Sequence, residues 1–271
     1  MNVDRGTSAL VAVYLNELEG NKMNLCPTGC KLCIQGKKIA IHITYRCTKH
    51  CPYCPIPDDK FGKSKIEFLG NEYDSTDDNL QTILNKIVTL NSIDGISISG
   101  GEPLLSINYV YEIIRTLKEK RGDDFHIHLY TNGDLLSDEI IEKLNDLGLD
   151  EMRVDSLSPS IFKRLEAAHF DVICEVPCIP TESFYSDICA LIDESVALKL
   201  NGINLNEFEV TKENIAFVKE HNLSFYANRL TECPAYAQKI IDYAKRKNNK
   251  LNVFFCSFEI ADKIRTSRNR L

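Results

Sequence analysis

The chain has 271 residues, 44% apolar and 26% charged, with 13 Gly, 9 Pro, 11 Cys and no Trp, which excludes a disordered, collagen-like or small disulfide-scaffold protein. One α/β barrel can absorb such a length, so one main domain is expected. A formal net charge of −7 with pI near 5.5 excludes a broad electrostatic grip on nucleic acid, and no run approaches the roughly 18 uncharged apolar residues of a membrane span.

Residues 1–20 carry Glu17 and Glu19 and no basic stretch leading into an apolar run, so no secretory signal is expected there. A reducing cytoplasm is then the expected setting, and clustered thiols there point to metal ligands rather than disulfides. Six of the 11 cysteines fall between positions 26 and 54, as Cys26, Cys30, Cys33 and Cys47, Cys51, Cys54, two copies of CxxxCxxC. A triad does not close a structural zinc site, which wants four protein ligands. It leaves one metal position open, as an iron–sulfur cluster needs when a small molecule must reach its unique iron.

Strand-like and helix-like runs then alternate. A strand over 38–45 ends at Cys47. An amphipathic helix is expected over 75–90, capped by Ser75 or Asp77, with Leu80, Ile83, Leu84, Ile87 and Val88 on one face. Strand 95–99 runs into Gly100, Gly101 and Glu102, where glycine lets a ligand approach the main chain. Helix 108–120, strand 125–130 ending at Asn132, helix 137–147, strand 151–154 ending at Asp155 and Ser156, and helix 160–167 follow. Then come strand 172–176 ending at Pro177, helix 183–200, strand 202–208, helix 212–220, strand 223–226, helix 234–247 and strand 251–255.

Repeated β-then-α units predict an α/β fold with a parallel sheet, a partial or full (β/α) barrel with a short N-terminal cysteine-rich extension. The expected division is 1–37 for that extension, 38–210 for the barrel core, and 211–271 for the last barrel elements and a basic tail with Lys263, Arg265, Arg268 and Arg270. Ligands in such folds bind at the C-terminal strand ends. Cys174, Cys178, Cys189 and Cys233 are expected as small buried hydrophobes, while Cys256 stays open between burial and a ligand role. On 203–209, Asn204, Asn206, Glu207 and Glu209 are either a solvated face or substrate contacts at the barrel mouth. Arg153 is similarly open between a structural ion pair and a carboxylate or phosphate contact, and the basic tail between a solvated face and a phosphate clamp. His50 is expected to be loop filler.

CTKHCPYC after one strand (Cys47, Cys51 and Cys54, with Tyr53) and Gly100, Gly101, Glu102, Pro103 after the next resemble the radical S-adenosylmethionine (SAM) superfamily, over about residues 38–210. CPTGCKLC, then GKK, then CTKHCPYCP is similar to small archaeal proteins related to pyruvate formate-lyase activating enzyme. The resemblance implies a [4Fe–4S] cluster on Cys47, Cys51 and Cys54, with SAM on the fourth iron. It places the methionine amino group on Gly100, Gly101 and Glu102. Strand-end position puts Asn132, Asp155 and Ser156 against the ribose or carboxylate, and Tyr53 with Val176 and Pro177 around the adenine. The implied chemistry is reductive cleavage of SAM to a 5′-deoxyadenosyl radical, driven by a low-potential flavodoxin- or ferredoxin-type donor, on an unidentified small molecule, RNA or protein.

Context assigns the second triad to SAM, since Cys47 follows a strand and Tyr53 sits within the triad, whereas the first triad has Leu32 at that position. Cys26, Cys30 and Cys33 are then a second site, with Cys256 as the fourth ligand and either [4Fe–4S] or zinc as its metal. An activating enzyme for a partner glycyl-radical enzyme, a zinc-binding RNA or protein interaction module, and a ferredoxin-like electron carrier are the competing readings.

Overall fold

Five strand segments, KIAIH, GISIS, HIHLYT, EMRV and GINLNE, share a period of two that sorts polar from apolar side chains. The computed structural model describes residues 26–248 and 250–261; Glu17, Glu19 and the basic tail from Lys263 to Arg270 lie outside the described residues. A short helix α1 (Thr28–Ile34) carries two cysteines of the first triad and precedes strand β1 (Lys38–His42). An antiparallel hairpin, β2 (Lys65–Phe68) and β3 (Asn71–Asp74), follows the second triad.

The chain then winds regularly: α2 (Asp77–Thr89), β4 (Gly95–Ser99), a 3₁₀ turn (Pro103–Ser106), α3 (Ile107–Arg121), β5 (His126–Thr131) and α4 (Asp138–Asp146). β6 (Glu151–Val154), α5 (Pro159–Arg164), β7 (Asp171–Cys178), α6 (Glu182–Glu194), β8 (Gly202–Glu207) and α7 (Ile215–Glu220) continue it. A two-residue-per-strand hairpin, β9 (Phe225–Tyr226) and β10 (Arg229–Leu230), precedes α8 (Cys233–Lys247) and β11 (Asn252–Cys256).

Strands β1, β4, β5, β6, β7, β8 and β11 are neighbours in chain order and parallel throughout, with β2 and β3 added antiparallel on the β1 side. The sheet order begins at β11 and ends at β3, so this is the partial form of the barrel. On the outer face Ile39, Ile41, Ile96, Ile98, Ile127, Leu129, Met152, Val154, Ile203 and Leu205 join one core with Leu80, Ile83, Val110, Ile113 and Leu117 of the covering helices. Each such side chain stabilises the fold by about 1.5–3 kcal/mol. The inner face is polar instead: Lys38, His42, Ser97, Ser99, His126, His128, Tyr130, Glu151, Arg153, Glu175, Asn204 and Asn206 occupy the alternate positions. That inner face is what positions the site.

Four local expectations are corrected. α2 is capped by Thr76, whose side chain accepts from the Asn79 amide at 3.3 Å, and not by Ser75 or Asp77. Residues 223–226 do not join the parallel sheet; they form the β9–β10 hairpin, whose turn uses positive φ at Ala227 and Asn228, the conformation a two-residue hairpin loop demands. Helix 183–200 stops at Glu194, where the Ser195 hydroxyl donates back to the Ile192 carbonyl at 2.7 Å, a side-chain bond that competes with helix continuation. Helix 212–220 begins only at Ile215.

Candidate cofactor site at the barrel mouth

The loop after β1 and the loop after β4 are locked together before either meets a ligand. The Gly101 amide donates to the Thr44 carbonyl at 2.8 Å and the Glu102 amide to the Arg46 carbonyl at 2.7 Å. A Cβ on Gly100 would overlap the Thr44 carbonyl oxygen, and one on Gly101 the Arg46 carbonyl oxygen. Both glycines line the cavity, and the close approach that requires them is to the backbone leading into Cys47.

Glu102 is fully buried, and its carboxylate is already committed. It accepts from the amides of Leu104 (2.9 Å) and Asn132 (2.8 Å) and from the Thr131 hydroxyl at 3.0 Å. Burial pushes its pKa up, against those bonds. It is not among the residues lining the cavity; here Glu102 ties the β4 and β5 loops to each other. Asn132 carries that tie to the thiols, donating through Nδ2 to the Thr48 hydroxyl at 2.9 Å and to the Cys47 sulfur at 3.7 Å.

The loops surround a cavity of about 440 Å³ at the C-terminal strand ends. Cys47, Cys51 and Cys54 line it together with Tyr53, Gly100, Gly101, Asn132, Asp155, Pro177, Asn206, Glu207 and Glu209. Burial pushes the Cys51 and Cys54 thiols up. Asp155 is pushed up to about 6 by burial and by the nearby Glu175 charge, and its Oδ1 is buried with no hydrogen-bond partner in the structure. A buried acceptor without a partner costs roughly 1–3 kcal/mol, so that atom fits a ligand hydroxyl or ammonium.

Three other expected contacts fall elsewhere. Ser156 does not line the cavity; its hydroxyl accepts from the Ser158 amide at 3.1 Å and holds a turn. Arg153 and Asn204 also stand outside the cavity lining. Asn204 Nδ2 donates to Asn206 Oδ1 at 3.2 Å, while Arg153 is buried between Glu151 (2.5 Å through Nε), Glu175 and the Cys30 sulfur (3.2 Å). Burial of a guanidinium demands such partners, and of the two readings open for Arg153 the structure shows the ion pair. Val176 faces the outer core.

Lining residues absent from the sequence-based set include His42, Lys49, Ser99, Tyr130, Thr131 and Glu175. For His42, Ser99, Tyr130 and Glu175 the signal was the polar phase of the strand alternation, which extends the site inward, whereas Lys49 lies on the cysteine loop and Thr131 ends β5.

The first triad lies on the same inner face. Cys26 and Cys30 share a buried cluster with Phe254 and Ile260, against which Cys256 packs. Among the described residues no three His, Cys, Asp or Glu side chains close around a common point as ligands of one ion do. Cys174, Cys178 and Cys233 are buried in the main core, whereas Cys189 is half-buried on α6.

In βα barrels the sites lie at the C-terminal strand ends, and three thiols and a Gly-Gly turn stand together at that mouth here. Residues 41–171 match the radical SAM superfamily. That match spans just under half of this chain, and the cofactors of that superfamily are a [4Fe–4S] cluster and SAM. The chain is 29% identical to a Methanocaldococcus jannaschii protein whose name places it with glycyl-radical enzyme activating enzymes, over 100% of this chain and 71% of that protein. It is 27% identical to GTP 3′,8-cyclase of Corynebacterium glutamicum over 74% of this chain and 48% of the cyclase. In fold it is similar to SuiB of Streptococcus suis, crystallised with the precursor peptide SuiA, at TM-score 0.58, 12% identity, 94% of this chain and 55% of SuiB. The chain thus spans about half the length of the last two.

Proposed function

We propose that this mouth binds SAM at a cluster held by Cys47, Cys51 and Cys54 and presents it to a polar substrate on the β7–β8 side of the cavity. The observation that carries the reading is one cavity lined by the three thiols, the Gly100–Gly101 backbone and the unpartnered Asp155 Oδ1. Bound there, the two cofactors would supply one-electron reductive cleavage of the sulfonium, with the electron from an external donor, and hydrogen abstraction from a substrate.

The chain's own residues bind, orient and shield. Gly100 and Gly101 offer backbone hydrogen-bonding groups for the amino-acid end. Asn132 holds the Cys47 loop in place, Asp155 accepts from a ribose hydroxyl or the amino group, and Tyr53 with Pro177 gives the adenine a flat apolar bed. Tyr53 is itself braced edge-on by Phe217, ring centroids 6.2 Å apart. Asn206, Glu207 and Glu209 on the opposite wall suit a substrate that offers hydrogen-bond donors or positive charge. The cavity walls would shield bound SAM in part from water. A low-potential flavodoxin- or ferredoxin-type protein would supply the electron. Activation of a glycyl-radical partner, carried by the name of the M. jannaschii relative, is the second reading.

The test is anaerobic: reconstitute the protein, count iron and sulfide, reduce it, add SAM and assay 5′-deoxyadenosine. Formation of 5′-deoxyadenosine, with Asp155→Asn raising the SAM concentration needed about tenfold, the scale of one lost charge-assisted bond, supports the reading. Intact SAM with a fully loaded cluster overturns it.

A further inference from the structure

The inner face holds a second thiol group that the SAM cavity does not use. α1 packs against β1, β4 and β5, and its glycine sets how closely: a Cβ on Gly29 would overlap His128 Nδ1 and crowd Glu151 and Arg153. The Gly29 amide donates to Glu151 Oε2 at 3.1 Å. So seated, α1 brings Cys30 beside Cys26 and, from the last strand, Cys256. Cys33 lies one turn along the same helix, within electrostatic reach of Cys256 and Lys38.

Beside their apolar neighbours, charged groups also reach these thiols. Arg153 Nη2 donates to the Cys30 sulfur at 3.2 Å. Lys38, fully buried, stands nearby with its ammonium against His126 Nδ1 (2.9 Å) and His128 Nδ1 (2.7 Å). Glu151 and Glu175 hold the guanidinium in place. Cys174 and Cys178, buried in the apolar core, have no cation among the charges that act on them. A guanidinium and an ammonium are thus set beside sulfur here, as they are not at Cys174 or Cys178. His128 Nε2 and Asn204 Oδ1, on the same face, are also buried without a partner.

We propose that Cys26, Cys30, Cys33 and Cys256 ligate a second, closed iron–sulfur centre, a [4Fe–4S] cluster, with Arg153 as its positioning residue. The spacing of the α1 triad equals that of the SAM triad, whose sulfurs serve three corners of a cube. The corner that SAM takes at the mouth is taken inside by Cys256. With four protein ligands the centre has no open position, so it serves electron transfer rather than substrate binding. Arg153 bridges it to the cavity, since its other partner, Glu175, lines that cavity and accepts from Asn206 Nδ2 at 3.0 Å.

The test removes the other cluster. A Cys47→Ala, Cys51→Ala, Cys54→Ala triple variant of the full chain is reconstituted anaerobically and its iron, sulfide and zinc are counted. About four irons and four sulfides per chain, with a reducible cluster signal, are expected from one [4Fe–4S] centre. Adding Cys30→Ser or Cys256→Ser should remove or convert that signal. Zinc at about one per chain in place of iron, no metal at all, or iron that survives both serine changes overturns the proposal. Arg153→Lys in the triple variant should keep the iron and lower the midpoint potential, because the guanidinium hydrogen bond favours the more negative reduced state; an unchanged potential would deny Arg153 its role. Cleavage of SAM by the parent protein reports separately on the mouth.

Discussion

The two CxxxCxxC triads share a spacing and differ in everything around it. Cys47, Cys51 and Cys54 sit on an irregular loop, half-buried, around a cavity. Cys30 and Cys33 sit on a helix pressed against buried charges, and the fourth thiol in reach comes from β11. Spacing therefore sets which sulfurs can act together, while the supporting element sets what reaches the remaining position: a diffusing small molecule at the mouth, a protein side chain inside.

The largest effect separates the triads by activity. Alanine at Cys47, Cys51 or Cys54 should bring 5′-deoxyadenosine formation down to background, whereas Cys33→Ala should lose only the inner metal and still cleave SAM when reduced chemically. The assay is 5′-deoxyadenosine per iron. Full cleavage in any variant of the first set, or equal loss in both sets, would break the distinction.

A second test exchanges one hydrogen for a methyl group at each seat. In Gly101→Ala the new Cβ meets the Arg46 carbonyl, and in Gly29→Ala it meets His128 and Glu151. Overpacking of this kind costs about 1–3 kcal/mol, measurable by denaturant unfolding. The metal readout should split as well: Gly101→Ala empties the mouth and Gly29→Ala the interior. Loss of both metals from either variant would mean that the two seats are one cooperative unit.

What the residues declared in advance, and what they withheld, follows the same division. The mouth was readable because its chemistry sits at strand ends, where period-two runs stop and Cys47, Gly100, Asn132 and Asp155 stand out. Tyr130 and Glu175 were not picked out: inside strands such as HIHLYT and DVICEVPC a polar residue is ambiguous until one knows which face is covered by helices. Glu102 was placed in its motif without its bonds to Leu104, Thr131 and Asn132, since a carboxylate that caps neighbouring amides looks the same in sequence as one that binds a ligand. Arg153 was left between two readings because its partners, Cys30 and Glu175, are 123 and 22 residues away. α1 escaped notice because seven residues with a glycine and two cysteines show no helical period.

The smallest expected effect concerns how each triad is anchored. The mouth loop is tethered near the surface, where Lys60 Nζ meets Glu67 at 2.8 Å and the Tyr45 hydroxyl at 3.1 Å, and Tyr45 in turn bonds Glu67. The Lys60 and Tyr45 hydrogen bonds hold the Glu67 carboxyl below its ordinary range. A carboxylate lowered in the folded state stabilises fully above the ordinary carboxylate pKa and loses that contribution as pH falls through its lowered value. Both Lys60 and Glu67 are about a third exposed, so solvent screening limits the pair to about 1 kcal/mol or less. Glu67→Gln should therefore be less stable than the parent by that amount near neutrality, in urea unfolding at low salt, and the gap should close in acid and in high salt. The interior anchor, Arg153 with Glu151 and Glu175, is buried and shielded from salt, so metal retention by α1 should not follow either change. A Glu67→Gln gap that persists unaltered in acid would mean that Glu67 works by packing alone, and that the outer triad is held as insensitively as the inner one.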